Sequence, residues 1–126
     1  MKKVLLIITV VLSSISFAQN KNAKASMEVD GVCGMCKARI EKAAIRAKGV
    51  KSAVWNVDTH VLKLIYDERK TDLKSIAQKL ADAGHDTRAI KATDEAYEAI
   101  HPCCKYRSKD VIEAREGEKK KSDNKN

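Results

Sequence analysis

Hydrophobic and polar residues alternate in several short stretches of this chain, and stretches with helical spacing lie between them. The first alternating stretch, Ala25–Val29, places Met27 and Val29 on one side, as in a half-buried strand. After it the apolar residues recur every three or four positions, as in an amphipathic helix: Cys36, Ile40, Ala43, Ala44 and Ala47. Gly49 favours the end of this helix, because glycine readily takes the left-handed conformation just past a helix terminus. The pattern predicts a strand followed by a helix.

Beyond Gly49 the hydrophobic period changes to two. One alternating set is Ala53, Trp55 and Val57, and a second, after the polar turn at residues 58–60, is Leu62, Leu64 and Tyr66. Two strands joined by a short turn predict a hairpin whose two sets face the core. The opposite face of the hairpin would then carry Val54, Val61, Lys63 and Ile65.

A second helix and a last strand are predicted next. Thr71 or Asp72 can cap a helix whose apolar positions, again at helical spacing, are Leu73, Ile76, Ala77 and Leu80. This helix is expected to end at Gly84. Residues 85–91 alternate less regularly and are predicted to form a short final strand.

The order strand, helix, strand, strand, helix, strand defines an α+β fold. It predicts a ferredoxin-like βαββαβ sandwich over residues 25–91, in which a four-stranded antiparallel sheet carries two helices on one face. Right-handed crossovers would bring the loop that holds Cys33 and Cys36 and the turn at Gly84 to the same end of the sheet. His85 is therefore expected to lie beside the two thiols.

Cys33-Gly34-Met35-Cys36 is the stretch that carries chemistry. At a helix N-terminus, free backbone N–H groups and the helix dipole favour thiolate over thiol, and Lys37 adds positive charge there. Two thiolates on a loop suit ions content with few soft ligands, Cu(I) first and Hg(II) next. Zn(II) is a further candidate, although a structural zinc ion needs four ligands and the loop offers two.

Two other chemistries fit a Cys-x-x-Cys pair. The first is a thioredoxin-type thiol-disulfide oxidoreductase, whose pair also lies between a strand and a helix. Such folds generally place a cis-proline at the site, whereas the one proline of this chain, Pro102, lies outside the predicted domain. The second is a structural disulfide, which an oxidising compartment permits.

Together these features resemble the heavy-metal-associated (HMA) domain family of small copper chaperones, the periplasmic mercury-binding protein and the N-terminal modules of metal-pumping ATPases. The resemblance rests on Val29–Gly49 with the cysteine pair, on Tyr66-Asp67 and on Ala83-Gly84. It implies that Cys33 and Cys36 bind one soft metal ion without catalysis. It also implies transfer of the ion to a partner, either a metal-transporting ATPase or another metal-binding protein.

Two departures from the family pattern leave the metal open. The family usually has Gly-Met-x-Cys before its pair, whereas Gly31-Val32-Cys33 is one residue shorter and the methionine, Met35, lies between the cysteines. The family often has an aromatic residue after the glycine of the second helix, and here that residue is His85. His85 is the expected third ligand or outer-sphere partner.

The N-terminal segment, residues 1–18, has the features of a secretory signal peptide: two lysines, a short apolar run and small residues before the predicted cleavage after Ala18. The mature chain is expected to be secreted or periplasmic, with no membrane anchor. Removal of residues 1–18 lowers the formal net charge of the chain from +8 to +6. The basic residues are spread along the chain and the aromatic residues are few, which argues against nucleic acid as a partner.

Residues 19–24 are predicted to be a linker, and a cysteine-containing extension follows the domain at residues 92–112. Asp94–Ile100 has helical spacing, and His101, Cys103 and Cys104 follow it. These three residues are expected to form a second soft-metal site or to add ligands to the first. The alternative is that the cysteines form a disulfide that ties the extension elsewhere, or remain a free pair. The charged tail, residues 113–126, is predicted to be disordered.

The open face of the predicted sheet needs a cover, since Val54, Val61 and Ile65 form an apolar patch there. Ala96, Tyr97 and Ile100 of the extension are the expected cover. The alternative is that the patch contacts the recipient or a second copy of the chain in a weak homodimer.

Overall fold

The computed structural model describes residues 18–124. Its elements are, in chain order, β1 (Ala23–Glu28), α1 (Gly34–Ile45), β2 (Val50–Trp55), β3 (Val61–Tyr66), α2 (Leu73–Asp82), α3 (Asp94–Glu98), a 3-10 turn (Pro102–Cys104) and α4 (Lys109–Asp123). The predicted signal peptide, apart from Ala18, lies outside the described residues. Within residues 18–124 there is no helix with both the length and the apolar character that a membrane crossing requires.

The sheet is antiparallel and has the strand order β1-β3-β2. Leu62, Leu64 and Tyr66 of the central strand are buried, while Lys63 between them is exposed, so the predicted register of β3 is confirmed. Trp55 is likewise buried, but Val57 is exposed because β2 ends at Trp55 and the chain turns there. The expectation that Val57 faces the core is therefore wrong.

Both principal helices bury the faces that their spacing predicts. In α1 these residues are Cys36, Ile40 and Ala44, with Ala47 just beyond the helix, and in α2 they are Ile76, Ala77, Leu80 and Ala81. The Asp72 carboxylate accepts a hydrogen bond from the Ser75 backbone N–H at 2.7 Å, which caps α2. Leu73, at the start of α2, is exposed instead of buried.

The fourth strand predicted for residues 85–91 is absent from the described chain, and only an isolated bridge joins Val29 to Thr87. A tight turn replaces it, in which the Thr87 N–H donates to the Ile90 carbonyl oxygen at 2.9 Å. The Asp86 carboxylate accepts from the Ala92 N–H at 2.8 Å and draws the chain away from the sheet. Local hydrogen bonds thus take backbone groups that a strand would have paired with β1.

The extension does not cover the open sheet face. Val54 on that face stays 54% exposed, and the groove there is lined by residues of β1, β2 and β3. Tyr97 and Ile100, which were expected to cover it, are buried instead beside Gly84 at the cysteine end of the domain. The extension therefore belongs to the same end of the molecule as the thiols.

Two predicted boundaries also differ from the structure. β1 begins at Ala23, inside the stretch predicted to be a linker. The tail is helical from Lys109 to Asp123, where disorder was predicted from Glu113. Low apolar content led to that prediction, yet glutamate, lysine, arginine and alanine all have high helix propensity. Arg115 also anchors this helix, since its guanidinium donates to the Asp30 carboxylate at 3.2 Å.

The central strand provides a direct test of the packing. Leu64→Ala is expected to lower the free energy of unfolding by about 2–5 kcal/mol, because it removes a buried side chain and leaves a cavity. Lys63→Ala, on the opposite face of the same strand, is the matched control and is expected to cost less than about 0.5 kcal/mol. Urea denaturation measures both. Equal losses at the two positions would contradict the observed register.

Candidate metal centre

The Cys33–Cys36 loop is held against the sheet by close packing at Gly31. A Cβ added at Gly31 would lie 3.0 Å from the Cβ of Cys36 and 3.1 Å from the Trp55 ring, so a larger residue would push the loop outward. The Trp55 indole N–H donates to the Val29 carbonyl oxygen at 3.1 Å and fixes the ring beneath the loop. Cys33 takes the N-cap position of α1, and Cys36 is fully buried in its first turn.

The structure brings all four cysteines of the chain together. The Cys33 sulfur lies 3.6 Å from the sulfur of Cys36, 3.5 Å from that of Cys103 and 3.7 Å from that of Cys104. Cys103 and Cys104 have sulfurs 3.8 Å apart, and the Cys103 sulfur lies 3.4 Å from the Met35 thioether sulfur. All four cysteines are free thiols. We call Cys33, Cys36, Cys103 and Cys104 the thiol cluster.

Two aromatic residues fasten the extension beside the cluster. The Tyr106 hydroxyl donates to the Gly84 carbonyl oxygen at 2.7 Å and accepts from the Asp86 N–H at 2.9 Å. Its ring stacks on His85 with centroids 5.6 Å apart and meets Tyr97 edge-on at 5.1 Å. Tyr106 is buried, so both the ring and the hydroxyl are used in holding the extension.

An ion pair between Arg107 and Asp86 also attaches the extension to the domain. The Arg107 guanidinium donates to both carboxylate oxygens of Asp86, at 2.7 and 3.1 Å, and to the Ala92 carbonyl oxygen at 2.8 Å. It also lies over the Tyr97 ring, 4.4 Å from the centroid. Burial opposes ionisation of Asp86, but Arg107 together with the Ala92 N–H and Tyr106 lowers the pKa of that carboxyl group. The hydrophobic pattern does not indicate this ion pair, because it places Asp86 in a predicted strand.

The thiols of Cys33, Cys103 and Cys104 differ in acidity. Burial opposes ionisation of Cys33, but the Cys36 backbone N–H and the neighbouring thiols, led by that of Cys103, lower its pKa to about 7. The hydrogen bond to Cys33 raises the pKa of Cys103, and burial raises that of Cys104. Of these three thiols Cys33 therefore ionises first, with Cys103 and Cys104 as proton donors to its sulfur.

Neither of the two histidines predicted as possible ligands, His85 and His101, belongs to the thiol cluster. Among residues 18–124, the group whose candidate ligand atoms all lie within 4.8 Å of one another is Cys33, Cys103 and Cys104. His85 is fully buried, and its Nδ1–H donates to the Asp30 carbonyl oxygen at 2.8 Å, which leaves Nε2 without a hydrogen-bond partner in the described chain. His101 accepts from the Cys103 N–H at 3.2 Å and caps the 3-10 turn.

Lys37 is also employed differently from the prediction. Its ammonium group pairs with Glu41 and donates to the Trp55 carbonyl oxygen at 2.6 Å. The Glu41 carboxylate in turn accepts from the Trp55 N–H at 2.9 Å. Lys37 thus links α1 to the end of β2, and its positive charge is paired with the Glu41 carboxylate.

The low pKa of Cys33 predicts that its thiol reacts with alkylating agents at a lower pH than an ordinary cysteine. Because the anion is the nucleophile, alkylation of Cys33 by iodoacetamide is expected to reach half its maximal rate near pH 7 in the reduced, metal-free protein. In denaturant the midpoint should rise to about 8.5, the ordinary cysteine value. Peptide mapping by mass spectrometry measures the rate at each thiol. A midpoint near 8.5 in both states would contradict the lowered pKa of Cys33.

Comparisons with known proteins agree with this fold. The family model described as "Heavy-metal-associated domain" matches residues 26–86. The chain is 27% identical over 63 residues to a copper chaperone, CopZ, of Staphylococcus haemolyticus, an alignment that covers 49% of this chain and 93% of that protein. The solved structure of a CopZ metallochaperone superposes with a TM-score of 0.50 at 29% identity and covers 52% of this chain and 98% of that one.

A much longer relative aligns with this chain over a small part of its own length. A copper-exporting P-type ATPase of Staphylococcus haemolyticus is 30% identical over 73 residues, which are 57% of this chain and 9% of the ATPase. The match to the heavy-metal-associated domain family therefore applies to residues 26–86, slightly less than half of the 126-residue chain. The family match ends before the extension, so Cys103 and Cys104 lie outside the part that defines the family.

Proposed function

We propose that this protein is an exported Cu(I) carrier, which binds the ion through the Cys33 and Cys36 thiolates and passes it to a partner. The observation that carries the proposal is the Cys33–Cys36 pair itself. Its sulfurs lie 3.6 Å apart at the N-terminus of α1, and the pKa of Cys33 is lowered to about 7. Near-neutral ionisation supplies the thiolate that a soft ion requires, without a large cost for displacing a proton.

Copper as the cargo is supported by the names of the relatives, one of which is a copper chaperone and another a copper-exporting ATPase. Thiolate ligands select soft ions in general, so the sulfur chemistry agrees with Cu(I) and does not by itself distinguish it from other thiophilic ions. A metal-transporting ATPase or another metal-binding protein is the proposed recipient. Export rests on the sequence of residues 1–18.

One experiment separates the carrier from the oxidoreductase. The protein is purified under reducing, anaerobic conditions, its bound Cu(I) is measured against its thiols, and it is then assayed for reduction of insulin disulfides. A carrier binds at least one Cu(I) per chain and shows no catalytic turnover of insulin. Catalytic turnover, or a failure to bind Cu(I) with all thiols reduced, would overturn the proposal. Parallel titrations with Hg(II) and Zn(II) rank the metals.

Transfer needs its own measurement. The Cu(I)-loaded protein is mixed with a separately tagged metal-binding domain of a copper-transporting ATPase, and copper is quantified in each after rapid separation. Movement of the ion to the acceptor supports delivery. Retention of the ion against an excess of acceptor would contradict delivery and leave sequestration as the role.

Export is tested by the mass of the mature protein. Expression of the full sequence in a bacterial host should give a periplasmic or secreted product that begins at Gln19. A cytoplasmic product that retains residues 1–18 would contradict this part of the proposal.

A further inference from the structure

We propose that Cys103 and Cys104 are metal ligands, so that one Cu(I) ion is held by at least three thiolates contributed by both the domain and its extension. This inference rests on the proposed function, since it concerns the same ion at Cys33. It replaces an open two-thiolate loop with a site that the chain itself closes. The arrangement of the sulfurs, the anchoring of the extension and the burial of the site each support it.

The spacing of the sulfurs matches a shared ion. Thiolates about 2.3 Å from a central ion stand about 3.8 Å apart in a tetrahedron and about 4.0 Å apart in a trigonal plane. The observed separations of Cys33 from Cys103, Cys33 from Cys104 and Cys103 from Cys104 are 3.5, 3.7 and 3.8 Å. A shift of a few tenths of an ångström therefore admits an ion among these three sulfurs, with Cys36 beside them.

The extension presents its thiols on a built support. His101 caps the 3-10 turn that carries both cysteines, and the Cys104 N–H donates to the His101 carbonyl oxygen at 2.8 Å. Immediately after the turn, Tyr106 and Arg107 attach the chain to Gly84 and Asp86. Anchors this close to the two cysteines leave little freedom to the sulfurs, and preorganised ligands lose less entropy when they bind.

Burial points to the same role. Cys104 and Cys36 are fully buried and belong to one hydrophobic cluster, while Cys103 is exposed at the rim. An ion among these sulfurs would be enclosed by protein on one side and reached from solvent past Cys103 and Met35. With the extension docked, a recipient would meet a closed site, and release of the ion would require Cys103 and Cys104 to withdraw.

The four sulfurs also make Zn(II) a candidate ion for this site, because zinc needs four ligands and the loop alone offers two. The expectation that zinc is disfavoured rested on a loop with two ligands, and the folded chain offers four thiols. Tetrahedral sulfur sets suit Zn(II) as well as Cu(I). Zn(II) is accordingly the competitor to include in the test.

The test is the number of sulfur neighbours around bound Cu(I), measured by X-ray absorption, together with Cu(I) affinity measured against a chromophoric chelator. The unaltered protein is expected to show three or four sulfurs. Cys103→Ser is the cleanest variant because Cys103 is exposed; it should lose one sulfur and at least about tenfold in affinity. The double variant Cys103→Ser, Cys104→Ser should fall to two sulfurs and still bind one Cu(I).

Ile112→Ala is the matched control, since Ile112 is exposed in the extension and carries no thiol. It should leave both the sulfur count and the affinity unchanged. Thermal melting of each metal-free variant separates loss of a ligand from loss of the fold.

A sulfur count of two in the unaltered protein, with affinity unchanged in the double variant, would overturn the inference and leave the Cys33–Cys36 carrier intact. The carrier function is tested separately by the double variant Cys33→Ser, Cys36→Ser, which should lose all Cu(I) binding. A higher affinity for Zn(II) than for Cu(I) would overturn copper as the ion of this site.

Discussion

Replacement of Cys33 and Cys36 by serine is expected to abolish tight Cu(I) binding. The pair supplies the thiol that ionises near neutral pH and the buried thiol next to it, and serine oxygens are poor ligands for a soft ion. The loss in affinity should exceed about a hundredfold, the upper end of what removal of an outer-shell partner alone costs. Competition with a chromophoric Cu(I) chelator under anaerobic conditions measures it.

Cys33→Ser is the more informative single change. Cys33 is partly exposed, so its substitution leaves the core intact, whereas Cys36 is fully buried against Ile40 and its neighbours. The double change in the extension, Cys103→Ser and Cys104→Ser, is the counterpart and should retain one ion. If the extension variant lost all copper while the loop variant lost none, the primary site would lie in the extension.

The fold of the domain was predictable wherever a strong period covered a whole element. Cys36, Ile40 and Ala44 have helical spacing over three turns, and Leu62, Leu64 and Tyr66 alternate through an entire strand. In these elements the residues that follow the strong period lie together on one buried face. The predicted helices, hairpin and cap at Asp72 therefore match the structure.

The last strand was predicted wrongly because its hydrogen-bonding groups had local alternatives. Residues 85–91 contain His85, Asp86 and Thr87, whose side chains hydrogen-bond to the backbone of Asp30, Ala92 and Ile90. Such competition between side chain and ladder depends on distances that a hydrophobic period does not encode. Within residues 18–124 the sheet consequently has three strands, and an isolated bridge lies where a fourth strand was expected.

Only part of the candidate site was predictable, because its other part depends on tertiary contacts that a local pattern does not encode. The position of Cys33 and Cys36 at a helix N-terminus followed from a local pattern, and the hydrogen bond of His85 to Asp30, three residues before Cys33, agrees with the predicted topology. The docking place of the extension did not, because Tyr97, Ile100 and Tyr106 are apolar residues that fit more than one surface. The usable signal was chemical: two adjacent cysteines after a histidine are soft ligands, and the domain already offered a soft-ligand site.

Gly84 is the position at which the extension can be separated from the domain by one small change. Its φ is +92°, a conformation that costs an L-residue about 1–2 kcal/mol. A Cβ at Gly84 would also lie 2.5 Å from Ile100 Cγ2 and 2.6 Å from the Ala96 carbonyl oxygen, both in the extension. Overpacking of this kind costs about 1–3 kcal/mol. Gly84→Ala is therefore expected to lower the free energy of unfolding by about 2–5 kcal/mol.

Relief of this clash requires Ile100 and Ala96 to move away, and the 3-10 turn with Cys103 and Cys104 follows them in the chain. In Gly84→Ala the bound Cu(I) should consequently have two sulfur neighbours in place of three or four, even though no thiol has been removed. Gly117→Ala is the matched control: a Cβ there meets no atom within 4 Å, and alanine within helix α4 should stabilise it by about 0.5–1 kcal/mol. Denaturant unfolding and X-ray absorption of both variants make the comparison. A Gly84→Ala protein with unaltered stability and three or four sulfurs around copper would show that the extension does not pack on Gly84.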